Sequence, residues 1–278
     1  MTETAISEGA VVRLALVTCG PQLEVALEAA SSRVVSMIRL GGVAPRSTLV
    51  LAAVDLLVED AGLTGDSVDE VVVSRGPGSF TGIRAGLATA AGIVAAVGAK
   101  CLAYDSLLML AARCVDPARL SHRVLSRGRR GSVPSGVFDL RGAERVLEVR
   151  RAPRGEKTPL GAMHRRPQQK AGEIGGLNRV WCAQPGRRGE VYARQYEMSE
   201  DRPPEALGEI DVLPISAVVE RSPWIAAEAL DLGEAMRAVP VRSSAEALLH
   251  LAELGAPADV PDPLYVEGPP VHTPTEKA

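Results

Sequence analysis

A strand that runs directly into a glycine-studded helix constrains this chain more than any other feature. Glu70–Ser74 is a short β-branched run. Arg75-Gly76-Pro77-Gly78-Ser79-Phe80-Thr81-Gly82-Ile83-Arg84-Ala85-Gly86 follows it, and a small-residue helix pattern continues from there to Val97. Strand, tight loop and helix in that order predict a crossover packed on a sheet. The loop itself supports two readings. A glycine-rich helix start can hold an anion on backbone N–H groups, helped by the helix dipole. Gly76, Gly78, Ser79, Thr81 and Arg84 are the residues that a nucleotide or phosphate would meet there. The other reading is a tight turn with Ser79 as N-cap. The spacing is GxGxxxG and no GK[ST] follows, so it is neither a P-loop nor the dinucleotide fingerprint.

The helix carries a second message. Gly82, Gly86 and Ala90 recur every four residues and make a smooth face that admits a neighbour closely. The preceding helix pattern, Ser47–Ala61, has only Asp55 as a polar residue between Leu49 and Val58. A helix that is apolar all round is buried all round, yet a helix on the outer layer of a sheet buries one face only. A further cover is therefore needed, either a partner subunit or the chain's own second lobe. Leu49, Ala53 and Leu56 on the first helix and Gly82, Gly86 and Ala90 on the second are the candidate partner-binding residues. Asp55 and Glu59 form a carboxylate pair at helical spacing that reads as a solvated face.

Val11–Thr18, Leu23–Ala29 and Arg33–Leu40 read as three strands, the first two joined by a Gly20-Pro21 turn. Lys100–Tyr104 is a further strand, and Ser106–Val115 a helix with Asp105 or Ser106 as its N-cap. Three strands followed by αβαβα is the order of a ribonuclease H-like domain, the unit that actin-like ATPases and sugar kinases duplicate. The expected class is thus α/β, an actin-like two-lobed fold with a mixed sheet in each lobe. Pattern returns at Val180–Gln184 and Glu190–Met198 as strands, at Ser243–Gly255 as a helix, and at Pro263–Val266 as a last edge strand. The expected division is an N-terminal lobe over 1–115, an insert over 116–179 and a C-terminal lobe with a loose tail over 180–278.

Charge singles out that insert. The net charge of −3 hides 15 Lys and Arg against 5 Asp and Glu between Pro117 and Arg179. With many glycines and prolines and no sustained apolar period, this basic segment reads as solvated and disordered. Arg127, Arg129, Arg130, Arg150, Arg151 and Arg154 are where it would meet nucleic-acid phosphates if it binds them. A segment outside the natural coding frame is another reading of the same compositional break.

The rest of the composition excludes whole classes. Aromatics are 3%, so stacking platforms for single-stranded nucleic acid are scarce. Cys19, Cys101, Cys114 and Cys182 show no CxxC spacing and read as reduced, mostly buried thiols. The four histidines include no HxxxH or HExxH pair, so no metal motif is expected. MTETAISEGA lacks the basic n-region of a signal peptide. Ala85–Ala99 is shorter than the ~20 apolar residues of a membrane span and reads as a buried helix. The chain reads as cytoplasmic, with no membrane contact.

Ser74–Arg84 followed by Gly86-Leu87-Ala88-Thr89-Ala90 resembles the signature of the TsaB (YeaZ) family, within the glycoprotease-like, actin-like (ASKHA) superfamily. Arg187-Arg188-Gly189-Glu190-Val191-Tyr192 is similar to the family's RRGEVY strand entry. Asp105-Ser106-Leu107 and Pro263-Leu264-Tyr265-Val266 match its third helix and its C-terminal PLYLR-type strand more loosely. The resemblance spans roughly Val11–Val115 and Val180–Val266. It implies a non-catalytic dimerisation subunit in the synthesis of threonylcarbamoyladenosine at tRNA position 37. Its partners would be a TsaD-like catalytic subunit, met through helices of the N-terminal lobe, and a TsaE-like ATPase. tRNA would be reached only through the complex, ATP or ADP would bind only in it, and the chain alone could form a homodimer.

This sequence departs from the family's pattern at charged positions. Val17 stands where the first strand usually ends in Asp, Pro185 where an acidic residue precedes the RRGEVY entry, and Ala91 where a Lys follows ATA. Each change removes a charge that a nucleotide site could use. The competing class is an ASKHA-type ATPase or kinase, or a glycoprotease-like hydrolase, which needs metal-binding carboxylates between the lobes.

Overall fold

A computed structural model describes residues 11–29, 34–41, 46–114, 136–139, 146–150, 179–187, 189–199, 202–221, 224–227, 230, 236–237, 240 and 242–267. The first lobe is built on β1 (Val12–Val17), β2 (Leu23–Ala29) and β3 (Val34–Leu40), an antiparallel meander. Helix α1 (Arg46–Asp60) leads to β4 (Glu70–Ser74), α2 (Phe80–Val97), β5 (Lys100–Tyr104) and α3 (Ser106–Ala112). β4 lies parallel to β1, and β5 parallel to β4. Two short strands of the basic segment, β6 (Gly136–Asp139) and β7 (Val146–Arg150), extend the same sheet. Its order is β5-β4-β1-β2-β3-β7-β6.

The second lobe repeats the plan. β8 (Arg179–Pro185) pairs antiparallel with β9 (Glu190–Glu197). The outer edge of β9 takes β10 (Glu205–Ala206) and β11 (Asp211–Pro214). After α4 (Ile215–Arg221), β12 (Trp224–Ala227) lies parallel to β8, and β13 (Met236–Arg237) parallel to β12. Helix α5 (Ser244–Glu253) closes the lobe. Meander, helix, parallel strands and final helix thus occur twice, as the sequence order of the first half predicts.

Side-chain alternation on β1 shows how the layers form. Leu14 and Leu16 point to one face, packed with Val50, Ala53, Leu57, Ile83, Leu87 and Ala90 of α1 and α2. Ala15 and Val17 point to the other, packed with Ala245, Leu248 and Leu249 of α5. β1 is buried on both faces and reads as a near-continuous apolar run for that reason. The helix that follows the last parallel strand of each sheet, β5 or β13, packs across to the other lobe. α3 sets Leu107, Leu110 and Ala111 against Val180, Cys182 and Tyr196 of the second sheet. Val218 of α4 covers the opposite face of that sheet with Trp181, Ala183 and Ile225.

Polar contacts fix the exchange. Ser243 and Glu246 form a capping box at the start of α5. The buried Glu24 carboxylate of β2 accepts from the Ala245 N–H at 2.9 Å and pairs with Arg39 at 3.0 Å. An acidic side chain at a helix N-terminus satisfies both a free donor and the helix dipole.

Several expectations change. Most of 116–179 lies outside the described residues, together with Arg127, Arg129, Arg130, Arg151 and Arg154. Within that segment β6 and β7 pair with each other, and β7 pairs with β3. Their β-branched and aromatic residues (Val137, Phe138, Val146, Val149) are too few to reveal a strand amid glycine and arginine. Pro263–Val266 is not an edge strand. Pro261 and Pro263 lack the N–H donors that a ladder needs, and the nearest pairing is a single bridge between Ala103 and Asp259.

Candidate functional site

The loop after β4 is anchored on its own sheet. Gly76 and Gly78 have φ of 102° and 148°, conformations that suit glycine, and the Gly76-Pro77 peptide is cis. The Ser106 N–H donates to the Gly76 carbonyl at 2.7 Å, and the Ser79 N–H to the Cys19 carbonyl at 2.9 Å. A Cβ on Gly78 would stand 2.6 Å from that Cys19 oxygen. Ser79 is the N-cap of α2, its hydroxyl accepting from the Gly82 N–H at 3.3 Å. Of the two readings of the loop, the tight capped turn is therefore what the backbone forms. Gly78, Ser79, Thr81 and Arg84 lie at the surface, while Gly76 is buried.

Arg84 has neighbours of its own. Its guanidinium lies 4.1 Å from the centre of the Phe80 ring, and its Nε donates to the Tyr265 hydroxyl at 3.1 Å. Phe80 stacks on Tyr265 with ring centres 5.1 Å apart. Both rings are exposed, at 48% and 40%. Few aromatics are present in the chain, yet two of them meet on this surface. Sequence reasoning missed the pairing because 185 residues separate them.

A cleft of about 230 Å³ opens between the lobes beside this cluster. Pro77, Gly78 and Phe80 form one wall, Pro185, Gly186 and Tyr192 another, and Leu264–Glu267 a third. Glu267 accepts from the Tyr192 hydroxyl at 2.8 Å and lies 3.9 Å from Arg187. Burial, and then the Glu267 bond, push the Tyr192 hydroxyl up to about 12.

Deeper between the lobes, Cys19 Sγ lies 3.2 Å from the Ser74 hydroxyl and 3.0 Å from that of Ser106. Asp105 is the N-cap of α3, accepting from the Leu108 N–H at 2.6 Å. It also accepts from Tyr196 at 3.3 Å and pairs with Arg194 at 3.5 Å, both on β9. Burial raises its carboxyl above the ordinary range, and the Leu108 and Arg194 contacts oppose that. Val17, at the end of β1, is buried and brings no charge to this place. Among the described residues, no three His, Cys, Asp or Glu side chains gather as metal ligands would.

The six candidate partner-binding residues separate sharply. Gly82, Gly86 and Ala90 are buried, and not against a second subunit. A Cβ on Gly82 would collide with the Thr18 carbonyl oxygen, and one on Gly86 with the Thr18 hydroxyl. The smooth face thus seats α2 on the end of β1. Ala53 is buried in the same layer, and Leu49 packs against it half-buried. Only Leu56 faces outward, 46% exposed.

Of the outward face, sequence reasoning named Leu56 as a partner contact and Asp55 and Glu59 as a solvated pair, but not Leu51 or Ala52. On α1 that face comprises Leu51, 53% exposed, with Ala52, Asp55, Leu56 and Glu59. On α2 it comprises Ala88, Ala91, Gly92, Ala95 and Ala96. By length and composition α2 is apolar enough to cross a membrane, but the residues facing the sheet hold it in the protein's own layer. Of the two covers expected over α1, the chain's own second lobe is not the one: α1 packs on α2, β2 and β3, and no described element of the second lobe covers its outer side. A groove of about 460 Å³ runs between the two helices, with Val58, Leu63, Val68 and Ile93 in it and Asp55 and Glu59 at its rim.

Comparison with known proteins agrees with this architecture. Residues 25–146 match the family model of TsaD, tRNA N6-adenosine threonylcarbamoyltransferase. YeaZ from Pseudomonas aeruginosa superposes with a TM-score of 0.55 at 20% identity, over 92% of this chain and 100% of that one. A crystal structure of an uncharacterized protein with similarity to peptidase YeaZ, also from Pseudomonas aeruginosa, gives 0.53 at 22% identity with the same coverage. No curated protein sequence matches the chain. The fold is thus YeaZ-like, an actin-like pair of α/β lobes.

Proposed function

We propose that this chain is a TsaB-type, non-catalytic subunit of a tRNA adenosine(37) threonylcarbamoyltransferase complex. It docks on a TsaD-like catalytic subunit through the outward faces of α1 and α2. One observation carries the reading: Leu51 and Leu56 stand exposed on a layer where α2, beyond Arg84, presents outward only Ala88, Ala91, Gly92, Ala95 and Ala96. Such a contiguous apolar face marks an interaction surface, and small side chains let a partner's helices approach closely. The match of residues 25–146 to the TsaD family model supports a place in the same tRNA modification.

In this reading a TsaE-like ATPase joins the complex, tRNA is reached through it, and ATP or ADP binds only in the assembly. The chain works in the cytoplasm and uses the same face for a homodimer when alone. The non-catalytic role is supported by Val17 and Pro185 at positions where the family carries acidic side chains.

Co-purification with a TsaD-like protein tests it. A stable heterodimer at micromolar concentration is expected. Burying a leucine is worth roughly 1.5–3 kcal/mol, so Leu51→Asp with Leu56→Asp should weaken it at least ~100-fold. Because both residues are exposed, the melting temperature should stay within about 2 °C. No heterodimer with the unaltered chain, or unchanged affinity in the variant, refutes the proposal. Tight Mg-ATP binding by the isolated chain would favour the ATPase or kinase class instead.

A further inference from the structure

After α5 the chain turns at Gly255 and runs as an extended segment, 256–267, across the edge of the first lobe and onto the second. Its attachments are unlike those of the layers beneath it. The Asp259 N–H donates to the Ala103 carbonyl and the Leu264 N–H to the Arg75 carbonyl, each at 2.8 Å. Arg75 returns an ion pair to Asp259 at 3.1 Å and a bond to the Asp262 carbonyl at 2.9 Å. Tyr265 then lies on Phe80 and Arg84 of the first lobe, and Glu267 hooks Tyr192 of the second. Between Pro257 and Pro263 every residue is exposed. Exposed polar contacts hold weakly and are screened by salt. Beyond this run only Val266 packs, partly buried, against the second lobe's core, and no large side chain of 257–267 is fully buried.

We infer that residues 257–267 form a detachable strap that closes the inter-lobe cleft and opens without unfolding either lobe. The strap covers the capped loop after β4, and the Leu264 carbonyl sits within 2.9 Å of where a Gly76 Cβ would lie. Leu264–Glu267 supply one wall of the cleft, so release widens it into a groove between Pro77–Phe80 and Pro185–Tyr192. The two holds nearest the cleft define what can compete for it. They are an aromatic ring against Phe80 and Arg84, and a carboxylate at the Tyr192 hydroxyl. A peptide carrying an aromatic residue two positions before an acidic one has that chemistry, as the strap itself does.

Hydrogen exchange on the full chain, read by NMR or by mass spectrometry with fragmentation, tests the strap directly. Local opening lets an amide exchange faster than global unfolding allows. The Asp259 and Leu264 amides are expected to exchange at least ~100-fold faster than the β1 amides of Leu14 and Leu16. Tyr265→Ala with Glu267→Gln should speed them by a further ~10-fold and leave β1 unchanged. Tyr265→Phe, which keeps the stack and removes only the bond to Arg84, should fall between. If Asp259 and Leu264 exchange as slowly as β1, the strap is integral to the fold and the inference is wrong. Acceleration of all amides together in the double variant would overturn it equally.

Discussion

Two glycines on one helix should respond to the same substitution with opposite signs. Replacing Gly82 by alanine in α2 places a methyl group against the Thr18 carbonyl oxygen, 2.9 Å from the Thr18 carbonyl carbon and 3.3 Å from Cys19 Cα. These are backbone atoms at the end of a central strand, so no side chain can swing aside. The Thr18 hydroxyl also donates to the Gly82 carbonyl at 2.6 Å, and separating helix from strand stretches that buried bond. Overpacking costs about 1–3 kcal/mol and a weakened buried hydrogen bond about 1 kcal/mol. Alanine's better helix propensity returns about 1 kcal/mol. The net expectation for Gly82→Ala is a loss of about 1–3 kcal/mol. Gly92 lies ten residues further along with nothing within 4 Å of its Cβ position, so Gly92→Ala keeps the propensity gain of about 1 kcal/mol. Urea denaturation followed by circular dichroism compares them. With a slope of about 3 kcal/mol/M, their midpoints should differ by roughly 1 M, on opposite sides of the parent. Equal shifts, or a more stable Gly82→Ala, would show that α2 does not seat on β1 through this face.

Two further expectations concern buried groups. Because the native Asp105 carboxyl titrates above its unfolded value of 3.8, its contribution to stability is greatest below that pH and declines as pH rises through the native value. The stability of the parent relative to Asp105→Asn should therefore fall from pH 4 to pH 7, as urea midpoints at several pH values would show; a gap that widens with pH contradicts the burial described here. The Cys114 thiol is pushed up to about 11 by burial and Cys182 is raised well above 9.0, whereas Cys101 is half-exposed. Iodoacetamide at pH 8 should label Cys101 first, by intact mass and peptide mapping, and early labelling of Cys114 or Cys182 would refute the packing of α3 on the second sheet.

The first lobe was legible because each element announces itself by period and boundary. β4 and β5 match their sequence-read ranges, and α2 is bounded by Ser79 and by Gly98 with φ 74°. What sequence could not supply was direction. The Gly82–Gly86–Ala90 stripe signals close approach, and that signal is the same whether the neighbour is a partner's helix or the chain's own strand end. Leu51 was passed over, and Leu56 was grouped with Leu49 and Ala53 that face the core, since α1 is apolar on every side and only tertiary packing chooses which side stays bare. The region between Arg202 and Arg242 was opaque for another reason. β10 and β13 are two residues long, and β11 and β12 four, too short for any period to register. Their strand character comes from the neighbours they pair with. The aromatic–arginine cluster and the strap depend on contacts from 75 to more than 180 residues apart and leave no local trace.

The crossing of α3 and α5 sets the terms on which this protein can fold. Each sheet receives one of its two apolar covers from the far half of the chain, so neither half contains a complete core. A fragment ending near Cys114 would present Ala15, Val17, Met37 and Val72 to water, because their cover is made more than 120 residues later. During synthesis the first sheet must wait, open on one side, until the ribosome has released α5. Contacts at such separation slow folding and prolong exposure of apolar surface. The two lobes are thus separate as shapes and single as a cooperative unit.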